Sequence, residues 1–168
     1  MSEPTTAAHV AAIHITNALK NQRYLHSPFS TPTWYLQALG SALILAGTDT
    51  PAAVFGNVDD TDKGEVASIL IFTQTLVVII EATELRNQGT RPTVRAIPRH
   101  TLDRVTVDGY SDPTDQDWPG RYRLELHYAD GTEVTLPPDR FAQPEEYAAV
   151  DTLRPSLMAD FITPSPSS

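Results

Sequence analysis

The densest apolar stretch of the chain is Ser68–Thr83, SILIFTQTLVVIIEAT. A membrane-spanning helix needs about 20 mostly apolar residues. The run from Val66 to Ile80 is shorter and contains Ser68, Thr73, Gln74 and Thr75. Ile, Val and Thr crowd it and favour strand, and Thr73-Gln74-Thr75 divides it into two pieces of ordinary strand length. The pattern predicts antiparallel strands over about 65–72 and 76–83. Both parities of each strand are apolar: Ile69 and Ile71 alternate with Leu70 and Phe72, and Leu76, Val78 and Ile80 with Val77 and Ile79. One face can line a core. The other needs a cover, either N-terminal helices or another chain, because large exposed apolar patches are rare on monomers.

Upstream, residues 4–24 read as a helix capped by Thr5 or Thr6, with a modest stripe of Val10, Ile13, Asn17, Lys20 and Tyr24. Residues 32–46 read two ways. Thr31 as N-cap, Pro32 as first residue and Gly47 just past the end make a helix, whereas Gly40 weakens it and SALILAG can run as a strand. From about residue 52 the pattern turns to β.

In RYRLELHYADGTEVTLP, Tyr122, Leu124, Leu126 and Tyr128 alternate with Arg121, Arg123, Glu125 and His127, which marks a half-buried antiparallel strand. A two-residue Asp130-Gly131 loop would set Val134 against His127 and mix the faces. A three-residue loop, Ala129-Asp130-Gly131, pairs Leu126 with Val134 and Leu124 with Leu136, and puts Gly131 where a G1 bulge needs a left-handed residue. A last helix begins near Pro144, with Tyr147, Val150, Leu153, Leu157 and Phe161 as its apolar face. Pro155 should kink or divide it, and the TPSPSS tail should be disordered.

This order of elements, over about Ala52–Ile162, resembles a bacterial pleckstrin-homology-like (PH-like) domain. SILIFTQTLVVII looks like its second and third strands, VRAIPRHTLDRVTV like the next pair, YRLELHYADGTEVTL like the last hairpin, and EEYAAVDTLRPSLMADFI like the closing helix. The resemblance implies an α+β fold in which about seven antiparallel strands form a barrel or sandwich closed by a C-terminal helix. It divides the chain into a helical extension (1–50, one or two helices packed outside), the PH-like domain (51–162) and a tail (163–168). The turn after Phe72 is shorter than is usual in the family and lacks the basic residue often found there.

Charge narrows the partners. The 168 residues carry a net charge of −9, which disfavours duplex nucleic acid and a polybasic membrane anchor. Residues 1–50 sum to zero, 51–90 to −4, 91–110 to +2 and 111–168 to −7. There is no Cys, which removes disulfides and thiolate chemistry and agrees with a reducing cytoplasm. MSEPTTAAHVAAIHITNALK has no basic flank before an apolar run, so a secretory signal is not expected.

The basic island RPTVRAIPRHTLDR holds Arg91, Arg95 and Arg99 on one strand parity, with His100 and Arg104 nearby. These groups can bind phosphate or a carboxylate-rich partner. Some PH-like domains bind lipid head groups, so peripheral lipid contact follows from the resemblance, but the negative remainder of the surface opposes it. The other reading is a solvated strand face paired with Asp103, Asp108 or the acidic loops. NVDDTDKGE and DGYSDPTDQDW do not fit a calcium loop: counting from Asp60 or Asp115, position 12 is Ile71 or Leu126 where a Glu is needed. His9, His14, His26, His100 and His127 show no zinc spacing, and LGSAL is no nucleophile elbow.

Trp34 and Trp118 read as recognition residues or as packing. The expectation is a non-catalytic cytoplasmic module that binds protein or itself, without cofactor or metal. An anion binder and a carrier or enzyme using the barrel interior are the alternatives.

Overall fold

The computed structural model describes residues 3–21, 33–47, 49–61, 64–85, 89–109, 113–114, 116, 120–139 and 141–162. Two compact units, Met1–Pro98 and Arg99–Ser168, make up the chain.

The first unit opens with helices α1 (Glu3–Asn21) and α2 (Thr33–Ala46). Residues 32–46 are therefore helix where they are described, and Thr31 and Pro32 lie outside the described residues. Gly47, at φ 63°, ends α2 by donating its N–H to the Leu43 carbonyl at 3.0 Å. This is a left-handed C-terminal cap that a residue with a Cβ fills at a cost.

Strands β1 (Ala53–Thr61), β2 (Gly64–Phe72), β3 (Leu76–Leu85) and β4 (Gly89–Pro98) follow as an antiparallel meander. The chain reverses at Thr73–Leu76, as the polar break predicts. The Thr73 N–H donates to the Leu76 carbonyl at 2.9 Å, and the Thr73 hydroxyl accepts the Leu76 N–H at 3.0 Å. Asp59 and Asp60, read above as part of a loop, form rungs of the β1–β2 ladder against Val66 and Glu65. The ladder runs as far as the Thr61–Gly64 rung, so pairing extends through Asp59 and Asp60.

The register places Val54, Ile69, Ile71, Val78 and Ile80 on one sheet face, and α1 and α2 cover it with Ile15, Leu19, Tyr35, Ala38, Leu39 and Ala42. Each such Leu or Ile contributes roughly 2 kcal/mol by leaving water. The cover required for the apolar strands thus includes the N-terminal helices. One detail differs from expectation. α1 buries Ile15 and Leu19, whereas Val10 and Ile13, on the expected stripe, are exposed. Ala12, Ile15 and Leu19 form one row packed on the core, whereas the other stripe carries Asn17.

The second unit begins with a 3₁₀ turn (Arg99–Thr101) and has strands β5 (Leu102–Asp108), β6 (Arg123–Tyr128) and β7 (Glu133–Leu136) in one sheet, then helix α3 (Pro144–Ile162). The β6–β7 register pairs Leu126 with Val134 and Leu124 with Leu136. Gly131 sits at φ 86°, its N–H bonded to the Tyr128 carbonyl at 2.9 Å, so the three-residue loop is as derived. At the start of α3, Pro144 takes the first helical position and the buried Glu146 accepts the Gln143 N–H at 2.8 Å.

Two expectations for α3 fail. Pro155 does not divide it: the element is continuous, and the buried Val150, Leu153 and Leu157 on either side of it offset the hydrogen bond that a proline cannot donate. Phe161 is 45% exposed, and Val150, Leu153 and Leu157 form the buried row. The tail, 163–168, lies outside the described residues.

The architecture is α+β: antiparallel sheets of four and three strands, two N-terminal helices and one C-terminal helix. The strands do not close into one barrel. β4 ends at Pro98, which has no N–H to extend a ladder, and the 3₁₀ turn follows at once.

Candidate functional site

The basic island is divided between the units. In the first, Arg95 lies on β4 opposite Ile79, with its side chain exposed. Arg91 pairs with Thr83 in the ladder; its side chain, like Trp118 as a whole, lies outside the described residues. In the second unit His100 and Arg104 are exposed, but Arg99 is buried at 3% exposure. Its Nε donates to Asp160 Oδ2 at 2.8 Å, its Nη2 lies 2.6 Å from the same oxygen, and Nη2 also donates to Ser156 Oγ at 2.8 Å. Arg99 therefore fastens the 3₁₀ turn to the last turns of α3.

Arg104 belongs to a surface row on the three-stranded sheet. A bulge at Asp103 shifts the β5–β6 register so that Arg104 stands opposite His127, which pairs in turn with Glu133. His127 Nδ1 lies 3.0 Å from Glu133 Oε1, and Arg104 Nη2 lies against the same imidazole, 3.2 Å from Nδ1 and 3.4 Å from Nε2. Exposed pairs of this kind contribute under about 1 kcal/mol. The hairpin register foretold His127 opposite Glu133; Arg104 needed the bulge, which leaves no trace in the residue pattern.

Two further polar clusters went unnoticed in the sequence. The Tyr122 hydroxyl donates to Asp151 Oδ1 at 2.5 Å, and the Arg154 guanidinium lies 5.7 Å from the Tyr122 ring centre. Burial first, then the Asp151 carboxylate, pushes the Tyr122 phenol up to about 12. In the first unit, Asp49 Oδ2 accepts from Thr75 Oγ1 at 2.5 Å and from Thr73 Oγ1 at 3.2 Å, which pins the β2–β3 turn. The Thr75 bond holds the Asp49 carboxyl below the usual carboxylate range. Among the described residues no three His, Asp or Glu side chains converge as metal ligands would.

Trp34 is half-buried against the helix–sheet core, edge-on to Tyr35 with ring centres 6.1 Å apart. Tyr35 is fully buried and hydrogen-bonds Thr16 at 2.9 Å, joining α2 to α1. The outward side of α2 is of a different kind: Leu36, Ile44 and Leu45 are exposed at 57%, 82% and 42%. No residue of α2 is charged.

Among the described residues no helix is long and apolar enough to cross a membrane. No family model matches the chain, and no curated protein matches it. Among solved structures it is similar to a pleckstrin homology domain from Shewanella amazonensis SB2B. The identity is 11%, over 84% of this chain and 98% of that one, with a TM-score of 0.37. At that distance the likeness adds nothing to the strand order and ladders, on which the fold assignment stands.

Proposed function

We propose that this chain is a non-catalytic binding or assembly module of the cytoplasm that takes a protein partner through the outward side of its N-terminal helices. Residues 1–50 are an addition to the PH-like part, 51–162, and present that side. The observation carrying this reading is the exposure of Leu36 and Ile44 on an uncharged helix whose opposite face is locked to the sheet by Tyr35, Ala38, Leu39 and Ala42. A lone exposed Leu needs no explanation. Leu36 and Ile44, on one row of a firmly mounted helix and beside the exposed Gln37 and Ser41, form an apolar strip that a partner covers.

The test is the native mass of the full chain purified from its own cells, beside a Leu36→Lys/Ile44→Lys variant. A defined assembly above the 18.4 kDa of one chain is expected, and its loss in a variant of unchanged circular dichroism. A monomer without partner, or an assembly indifferent to both substitutions, overturns the reading.

A second reading, binding of anionic head groups or small anions, draws on the exposure of Arg95 on β4. Arg99, held by Asp160 and Ser156, does not add to it. Salt-sensitive binding of phosphate-bearing vesicles that falls with Arg95→Ala supports this reading, and absence of binding removes it.

A further inference from the structure

We infer that the partner of α2 is α2 of a second copy of this chain, packed across a two-fold axis at Gly40; this rests on the binding reading above and names its partner. Leu36, Gly40 and Ile44 fall on one i, i+4, i+8 row, so the ridge is large–small–large and nearly symmetric about Gly40. Such rows are the ridges by which helices pack into each other's grooves. In an antiparallel crossing at Gly40 a two-fold axis sets Leu36 of each copy against Ile44 of the other, so one row supplies both sides of the contact. Around Gly40 the space is open: a Cβ built there meets nothing within 4 Å. The middle of the ridge is thus where a second backbone can come close.

Charge selects the same occupant. All of the net −9 lies beyond residue 50, because residues 1–50 hold two acidic and two basic groups, Glu3 and Asp49 against Lys20 and Arg23. Two copies of so acidic a chain repel each other through most of their surface. Contact through α2, which has no charged residue, sets no like charges of that helix against each other. A charged protein partner finds no complementary charge on this helix, and an anionic membrane finds no Lys or Arg there to hold it.

The chain has no Cys, so one introduced thiol reports the geometry. Packed helix axes lie about 9 Å apart, and subtracting two Cα radii of about 2.3 Å leaves roughly 4–5 Å between facing Cα atoms. A disulfide spans about 4.4–6.8 Å. Gly40→Cys should therefore oxidise to a covalent dimer at least tenfold faster than Ala148→Cys, an exposed position on α3. Light scattering of the wild-type chain should give twice the monomer mass, and Ile44→Lys should give a monomer with unchanged circular dichroism. Equal oxidation rates at the two positions, or a monomeric wild type, overturn the inference. In that event a heteromeric assembly that Ile44→Lys abolishes leaves the binding reading standing, and a chain with no partner removes both. Attachment to neutral phosphatidylcholine vesicles that Ile44→Lys abolishes, by a chain that stays monomeric, also overturns it.

Discussion

In the first unit, α1 and α2 meet the sheet through Ile15, Leu19, Leu39 and Ala42 on Val54, Ile69, Ile71, Val78 and Ile80. In the second, α3 is tied by Arg99 to Asp160 and Ser156, and by Tyr122 to Asp151, alongside its buried Val150, Leu153 and Leu157. One seam works by area, which is strong and indifferent to angle. The other adds directional bonds, which fix where a helix sits but cost free energy when half of a pair is missing. The apolar seam permits an outer helix face with no charge at all, and the bonded seam explains why an arginine of the basic island is unavailable for binding.

The largest effect should come from the apolar seam. Leu39→Ala deletes a side chain enclosed by sheet and helix, and should cost about 3–4 kcal/mol in urea unfolding. Raising the salt concentration should leave that loss unchanged. Next comes Arg99→Ala, which strands Asp160 beside Ser156. Breaking a buried pair costs about 3–5 kcal/mol, and the 22% exposure of Asp160 brings this to about 2–3 kcal/mol. Arg99→Lys should recover only part of it, because an ammonium cannot reproduce the planar fork that serves both partners. If Leu39→Ala proved salt-sensitive and Arg99→Ala did not, the contrast between the seams would be wrong.

Two tyrosines of β6 and its approach sharpen the comparison. Tyr122→Phe removes a bond to a carboxylate and should cost about 1.5 kcal/mol. The buried hydroxyl of Tyr128 has no partner among the described residues, so Tyr128→Phe should be close to neutral. Alkaline titration tests the same bond. The Tyr122 phenol is raised from 10 to about 12, so the unfolded chain gives up its proton first. The stability from this group is whole below pH 10 and falls as pH climbs from 10 to 12. Phenolate absorbance followed alongside unfolding should show that window in the wild type and a smaller loss of stability across it in Tyr122→Phe, where the buried Tyr35 and Tyr128, also raised, still contribute.

Local features were legible in advance. The reversal after Phe72, the three-residue loop at Ala129–Gly131 and the cap at Gly47 each follow from a few adjacent residues and the period of the strand or helix. Features joining distant residues were hidden. Arg99 and Asp160 are separated by 61 positions, and nothing in either neighbourhood marks them as partners. The buried side of α1 was misjudged for a related reason: Val10 and Ile13 are as apolar as Ile15, and only the sheet decides which row turns inward. Pro155 misled because its local cost, one lost N–H bond and a crowded carbonyl, is outweighed by the burial of Leu153 and Leu157 on either side of it, which the residue pattern alone does not weigh.

One further effect has the opposite sign and divides along concentration. Gly40 is an exposed residue inside α2 with open space where a Cβ would lie, so Gly40→Ala should strengthen the helix by about 0.8–1 kcal/mol. At dilutions where the chain is monomeric, thermal melting should therefore shift upward. At high concentration the added methyl stands at the crossing of two α2 helices and holds their axes apart, so the same substitution should weaken association. A gain in melting temperature that shrinks as protein concentration rises is the signature of both effects acting on one residue. A gain that is equal at every concentration would leave Gly40 as an ordinary helix glycine facing solvent.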